Sequence, residues 1–256
     1  MKKQIKTVLP VTIFILLLAA LWELATTVFE VPHFILPRLS DVFISLWENR
    51  TLLGRHFVLT LGEALLGLAL SVAVGVSVAI WMERFSLAKR TLYPLIMASQ
   101  TIPIIALSPI MVMWFGYGIW SKISVVILFT FFPIAVNTSD GFRTADPGIG
   151  ELMKTMGASK RDLFLKWKLP SALPGFFTGL KLAATISVGG AALGEWLGGE
   201  SGLGVYTKRA SNMLRGEAVF SGVLLLSIMG IILFLTVRWL ESRVLAKRAP
   251  SDEADK

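Results

Sequence analysis

The chain has 256 residues, of which 54% are hydrophobic and 16% charged, with a mean hydropathy of +0.69. That balance excludes an ordinary soluble domain, and apolar runs of about 20 residues predict helices crossing a hydrocarbon core about 30 Å thick. The net charge of +8 does not mark a nucleic-acid binder, because the Lys and Arg residues sit in loops and tails between apolar runs, and the absence of cysteine excludes disulfides, iron–sulfur clusters and thiol chemistry.

Lys2, Lys3 and Lys6 precede an apolar run over about residues 7–28. It is long for a cleaved leader and passes Trp22 and Glu23 without a small-residue cleavage site, so it reads as a retained first span. Pro32 and Pro37 then break helix, and Ser40 and Asp41 start a short amphipathic helix with Val42, Phe43, Leu46 and Trp47 on its apolar face, placed at the outer interface. A second span is expected over about 57–81, where Gly67, Ser71 and Gly75 recur every four residues, the spacing that lets helices approach closely in lipid. Packing within the chain is favoured over a dimer seam for that stripe, and Glu63 is expected at the interface. A short basic loop over 82–92 follows.

The third span, about 93–115, is interrupted by Pro103 and Pro109. Breakers inside a span are tolerated where the freed backbone groups face protein or a watery cavity, so this span is the candidate for lining a path. The fourth span covers about 119–136. The fifth begins after Pro174 and carries Gly175, Gly179, Gly190 and Gly194 in pairs four apart. A glycine-rich outer loop containing Lys208, Arg209 and Arg215 follows, and the sixth span lies at about 219–239. With the N-terminus inside, the inner segments hold 17 Lys and Arg and the outer segments 7, with Lys181 left in a span, where its ammonium is expected to snorkel inward. That asymmetry places both termini, and the loop over 151–170, in the cytoplasm.

This loop has the most structured local code. Asp146 is suited to cap a helix and Pro147 to open it. Ile149, Leu152, Met153 and Met156 fall on one helical face, and Gly157 allows the positive φ at which such a helix ends. Ser159 with Asp162 forms a capping box for a second helix carrying Leu163, Phe164 and Trp167, which Leu169-Pro170 is expected to close. A basic helix–pivot–helix with one apolar face suits a grip by another protein or a place on lipid headgroups.

The order Glu151, Gly157, Leu169, Pro170 resembles the EAA loop of ATP-binding-cassette (ABC) importer permeases, with Leu152 and Met153 replacing the two alanines and Trp167 the isoleucine of that pattern. The stretches LPRLSDVF, TIPIIALSPIMVMWFGYG, FFPIAVNTSDG and GEWLGGESGLG are similar to the nitrate/sulfonate/taurine-type branch, and within it to permeases for pyrimidine precursors of thiamine or for riboflavin. The resemblance implies an all-α integral membrane protein of the MetI-like permease fold, with about six transmembrane helices and a cytoplasmic coupling-helix loop. Residues 1–55 are then a first transmembrane helix and outer interfacial segment, 56–246 the permease domain and 247–256 a cytoplasmic tail.

The resemblance also implies partners: a cytoplasmic ABC ATPase, an extracytoplasmic substrate-binding protein, a second permease copy and membrane lipid. ATP and Mg2+ belong to the ATPase, and no cofactor is expected in this chain. Coupling to the ATPase is assigned to Glu151, Leu152, Met153, Met156, Gly157, Ala158, Leu169 and Pro170, with Leu152, Met153 and Met156 as the ATPase-facing knob and Leu163, Phe164 and Trp167 packing back on the spans. Gln100, Trp114 and Glu195, being polar or aromatic in or near spans, are the candidates for a solute path. The expected solute is a thiamine pyrimidine precursor or riboflavin, with a sulfonate, taurine or nitrate as the alternative. A secondary transporter is the alternative of another class, but neither inverted repeats nor coupling-ion sites are visible. The sequence lacks a phosphate loop, an HExxH pattern and a nucleophile elbow, so neither an ATPase nor an intramembrane enzyme is expected. His33 and His56 read as interfacial polar groups.

Overall fold

Small residues decide which helices touch. The computed structural model describes residues 2–246, with side chains from Leu9 onward, and the regular elements among the described residues are helices. The order is α1 (Lys2–Val28), α2 (Leu39–Glu48), α3 (Arg50–Arg84), α4 (Ser86–Ser99), α5 (Ile104–Phe115), α6 (Ile119–Arg143), α7 (Pro147–Thr155), α8 (Lys160–Asp162), a π-helical turn (Leu163–Lys168), α9 (Leu169–Gly198), α10 (Leu203–Asn212) and α11 (Gly216–Ala246). Among the described residues, five helices are long and apolar enough to cross a membrane: α1, α3, α6, α11 and the continuous Lys160–Gly198 helix. The pair α4 and α5, bent by 101° at its break, is the sixth candidate. The tail expected over 247–256 lies outside the described residues.

The centre of the bundle is α6, gripped between α3 and α9. Gly67 and Gly75 face Val126 and Ile134, and between them Ser71 Oγ lies 2.6 Å from Thr130 Oγ1. The small-residue stripe of α3 is therefore an internal seam, as its spacing suggested. Along α9, Gly175, Gly179, Gly190 and Gly194 all abut α6. A β-carbon on Gly175 would sit 2.5 Å from the Asn137 carbonyl oxygen and 2.9 Å from Gly141 Cα, both backbone atoms that cannot rotate away. Gly175→Ala should therefore lose about 1–3 kcal/mol by overpacking. It regains at most about 1 kcal/mol of helix propensity, so a lower melting temperature in detergent is expected, and an unchanged or higher one would contradict this packing.

Several boundaries differ from the sequence-based expectation. The second span begins seven residues earlier than position 57, at Arg50, because the chain enters α3 from Asn49 without a break. The loop expected over 82–92 shrinks to Phe85, in extended backbone between α3 and α4. In the third span only Pro103 breaks the helix; Pro109 lies inside α5. Gln100, Thr101 and Ile102 instead turn through bonds to the carbonyls of Met97, Ala98 and Ser99. Likewise α6 runs past Pro133 to Arg143.

The largest difference is at Leu169-Pro170, which does not close a helix. The turn before it is π-helical, and the Leu169 N–H reaches back to the Phe164 carbonyl. This wider turn displaces the carbonyl that Pro170 would meet in a regular helix, so the chain passes straight into α9. The glycine-rich loop after α9, expected to be outer, also contains a helix, α10, whose Leu203, Val205 and Ala210 are buried.

On the flank, α1 exposes most of its apolar side chains but is tied at its end. Trp22 Nε1 donates to the Pro37 carbonyl at 3.0 Å and its ring meets Phe220 of α11 edge-on. Glu23 accepts from the Ser40 hydroxyl and backbone N–H, which caps α2 from another helix. In α2 itself Val42 and Ser45 are buried, while Phe43 and Trp47 face outward, so the apolar face expected there is split between core and surroundings.

Candidate functional site

The helix–pivot–helix forms as its local code dictates. The Asp146 carboxylate accepts from the Gly148 N–H at 2.8 Å, with Pro147 in the first turn of α7. Gly157 has φ +81°, the Gly157 and Ala158 N–H groups bond the carbonyls of Lys154 and Met153, and no heavy atom lies within 4 Å of where its β-carbon would be. Ser159 Oγ accepts from the Asp162 N–H at 3.1 Å and opens α8.

The apolar face of α7 is presented outward: Ile149, Leu152 and Met156 are 49%, 60% and 79% exposed. Glu151 is exposed too, Met153 and Ala158 are half-buried, and Leu169 and Pro170 are half-buried at the far end. The opposite side is anchored. Phe164 stacks on Phe142 of α6 at 6.0 Å and packs with Ala79 and Ala172. Trp167 packs on α7 rather than on a span, its ring filling the place a β-carbon at Gly150 would take. Its indole nitrogen is buried without a partner, and the Lys168 ammonium lies 4.9 Å from the ring. The result is an anchored unit that presents apolar side chains outward on one face, the surface type that marks a contact with a protein or a membrane.

A second feature lies at the break between α4 and α5. A cavity of about 750 Å3 opens there, bounded by α3, α4, α5, α6 and α9. Its polar lining comes from Ser99, Gln100 and Asn137, its aromatic lining from Phe129, Phe131 and Phe132, and no charged residue lines it. Of the three path candidates, Gln100 lines this cavity; Trp114 is 72% exposed on α5, and Glu195 is fully buried elsewhere. The three do not come together. Asn137, whose amide donates to the Pro133 carbonyl at 2.7 Å, lines the same cavity as Gln100 from α6.

Glu195 belongs to a buried polar network that no local pattern announced. Its carboxylate accepts from Thr60 Oγ1 at 2.6 Å and from the Gly204 N–H. Thr60 in turn accepts from the Leu203 N–H, and His56 Nδ1 accepts from the Gly202 N–H at 2.8 Å. The N-terminus of α10 is thus held by side chains of α3 and α9. Beside it the Lys122 ammonium pairs with Glu63 Oε1, while Glu63 Oε2 is buried without a partner. Glu63, expected at the interface, is 5% exposed, and Lys122 is 8% exposed. Lys181 bonds both oxygens of Glu241, near the end of α11, at 2.9 and 2.7 Å. Among the described residues, no group of His, Asp and Glu is arranged to hold a metal ion.

Residues 71–246 match the family model of the binding-protein-dependent transport system inner membrane component. The formylaminopyrimidine transport permease protein ThiX of Halalkalibacterium halodurans is 41% identical over 97% of this chain and 99% of its own. The riboflavin transport system permease protein RibX of Chloroflexus aurantiacus is 31% identical over 91% of this chain and 87% of its own. In three dimensions the chain is similar to a solved structure of the MetNI methionine ABC transporter, with a TM-score of 0.59 at 22% identity, covering 77% of this chain and 96% of that one; the MetI-like fold follows. With the family model spanning most of the chain and a relative aligned almost end to end, this protein belongs to the binding-protein-dependent inner membrane components: it is the multi-pass permease of an ABC importer, and the ATPase is a different subunit.

Proposed function

We propose that the chain carries a formylaminopyrimidine-type solute across the inner membrane, working as a pair of identical permeases with both termini cytoplasmic. The observation that carries this reading is the cavity at the α4–α5 break. It has the volume of a small-molecule site. Two carboxamides and a hydroxyl offer hydrogen bonds to ring nitrogens and an exocyclic amine, and three phenyl rings offer stacking. A sulfonate or nitrate would call for a positive lining, and no charged residue lines the cavity; Lys181, nearby in sequence, is paired with Glu241. The 41% identical relative that is a formylaminopyrimidine permease supports the same solute.

Two cytoplasmic ATPase subunits, which hold ATP and Mg2+, dock on the exposed knob of Leu152 and Met156 with Met153 beside it. Glu151, Gly157 and Ala158 shape that knob, and Leu169 and Pro170 join it to α9. Closure of the ATPase pair moves the two loops as rigid bodies and rocks the spans between inward- and outward-facing states. A binding protein delivers the solute from outside.

The test is reconstitution with the cognate ATPase and binding protein, followed by uptake and ATP hydrolysis with formylaminopyrimidine, riboflavin and an alkyl sulfonate. Formylaminopyrimidine should stimulate both, and Asn137→Ala should lower its uptake about tenfold, equivalent to about 1.4 kcal/mol of lost interaction. Stimulation by riboflavin or the sulfonate alone would reject the solute assignment.

A further inference from the structure

Glu83 stands one residue short of the end of α3 and receives lysines from two other elements. Its Oε1 lies 2.7 Å from the Lys168 ammonium and its Oε2 3.8 Å from that of Lys89. Lys168 is the last residue of the π-helical turn, where the 151–170 loop enters α9. Lys89 lies on α4, which leads to the break at Gln100 and the cavity. No α4 side chain is buried, so this helix is held by few contacts; a second polar tie runs from the Tyr93 hydroxyl to the Asp140 carboxylate of α6 at 3.3 Å. The Glu83 carboxylate is thus shared between the outlet of the loop and the base of the broken span.

We propose that Glu83 is a positioning residue that transmits movement of the loop to α4 and so to the cavity. Partly exposed ion pairs contribute little to stability. This one acts through register: a displacement of Lys168 changes what the end of α3 holds, and Lys89 carries the change into a helix with little other anchorage. The inference rests on the reading of the 151–170 loop as the ATPase contact.

The chain has no cysteine, so Ile102→Cys, at an exposed position in the break, gives a single reporter. In vesicles with the cognate ATPase and binding protein, ATP with vanadate should change its labelling rate by a membrane-impermeant maleimide. Adding Glu83→Gln, or Lys89→Met, should shrink that change about fivefold or more, in the range of a coupling free energy, while ATP hydrolysis continues. The two together should be no worse than Glu83→Gln alone, since they remove one shared contact. A full labelling response in either variant overturns the proposal, as does a fall of hydrolysis and response in equal proportion, which a merely structural role would give. If Ile102→Cys alone shows no nucleotide response, the loop reading itself fails, and this inference with it.

Discussion

Gly157→Val should cut solute uptake about tenfold or more while the chain still inserts into the membrane, a loss matching backbone strain of about 1–3 kcal/mol at a functional pivot. The argument is conformational, not steric. No heavy atom lies within 4 Å of the added β-carbon, so volume is not at issue. At φ +81° a β-branched side chain is strained wherever it points, and the chain relieves the strain by giving up the bonds from the Gly157 and Ala158 N–H groups to Lys154 and Met153. The angle between α7 and α8 then shifts, and with it the position of Leu152 and Met156 relative to the anchored Phe164 and Trp167. Gly157→Asn separates the causes, because asparagine adopts this backbone region more readily; it should keep most of the uptake. Equal loss in both variants would point to the open space itself, and normal uptake by Gly157→Val would remove Gly157 from the coupling unit. Membrane yield and co-purification of the ATPase serve as controls.

The loop was legible because its signals are local. A capping aspartate, a proline after it, a glycine at a helix end and a serine three residues before an acid each act within one turn, and the structure places all of them as read. The seam of α3 was legible for a related reason: a four-residue spacing of small side chains is a property of one helix face, whatever lies opposite. What was not legible depends on partners remote in sequence. Glu63 and Lys122 are 59 residues apart, and Thr60 and Glu195 are 135 apart. Read singly, Glu63 looked like an interfacial residue and Glu195 like a path residue. Pro170 misled because its usual effect was cancelled by a wider turn that begins seven residues earlier, for which the sequence carries no recognised signal. The cavity was half legible: Pro103 and Gln100 marked the break, but Asn137 and the phenyl rings come from α6, remote in sequence from it.

The buried network has a consequence separate from coupling. Lys122→Met keeps most of the side-chain volume and removes the positive charge, leaving Glu63 and Glu195 buried within range of each other's charge. Breaking a buried pair on one side costs about 3–5 kcal/mol, against a typical total stability of about 5–15 kcal/mol. The variant should therefore survive heating in detergent poorly, read as loss of the monodisperse peak after a temperature series. Replacing both partners, Glu63→Leu with Lys122→Met, should recover most of that loss, because two apolar side chains of similar size then stand where the pair was and no unpaired Glu63 carboxylate is left, while Glu195 keeps its bonds from Thr60 and Gly204. This recovery distinguishes an ion-pair effect from a packing defect at Gly194, whose β-carbon position lies 2.8 Å from Lys122 Cα and is untouched by either substitution. A single variant as stable as the native chain would mean that water or lipid headgroups reach Glu63. A double variant no better than the single one would mean that Lys122 stabilises Glu195, and through it the N-terminus of α10, more than it stabilises Glu63.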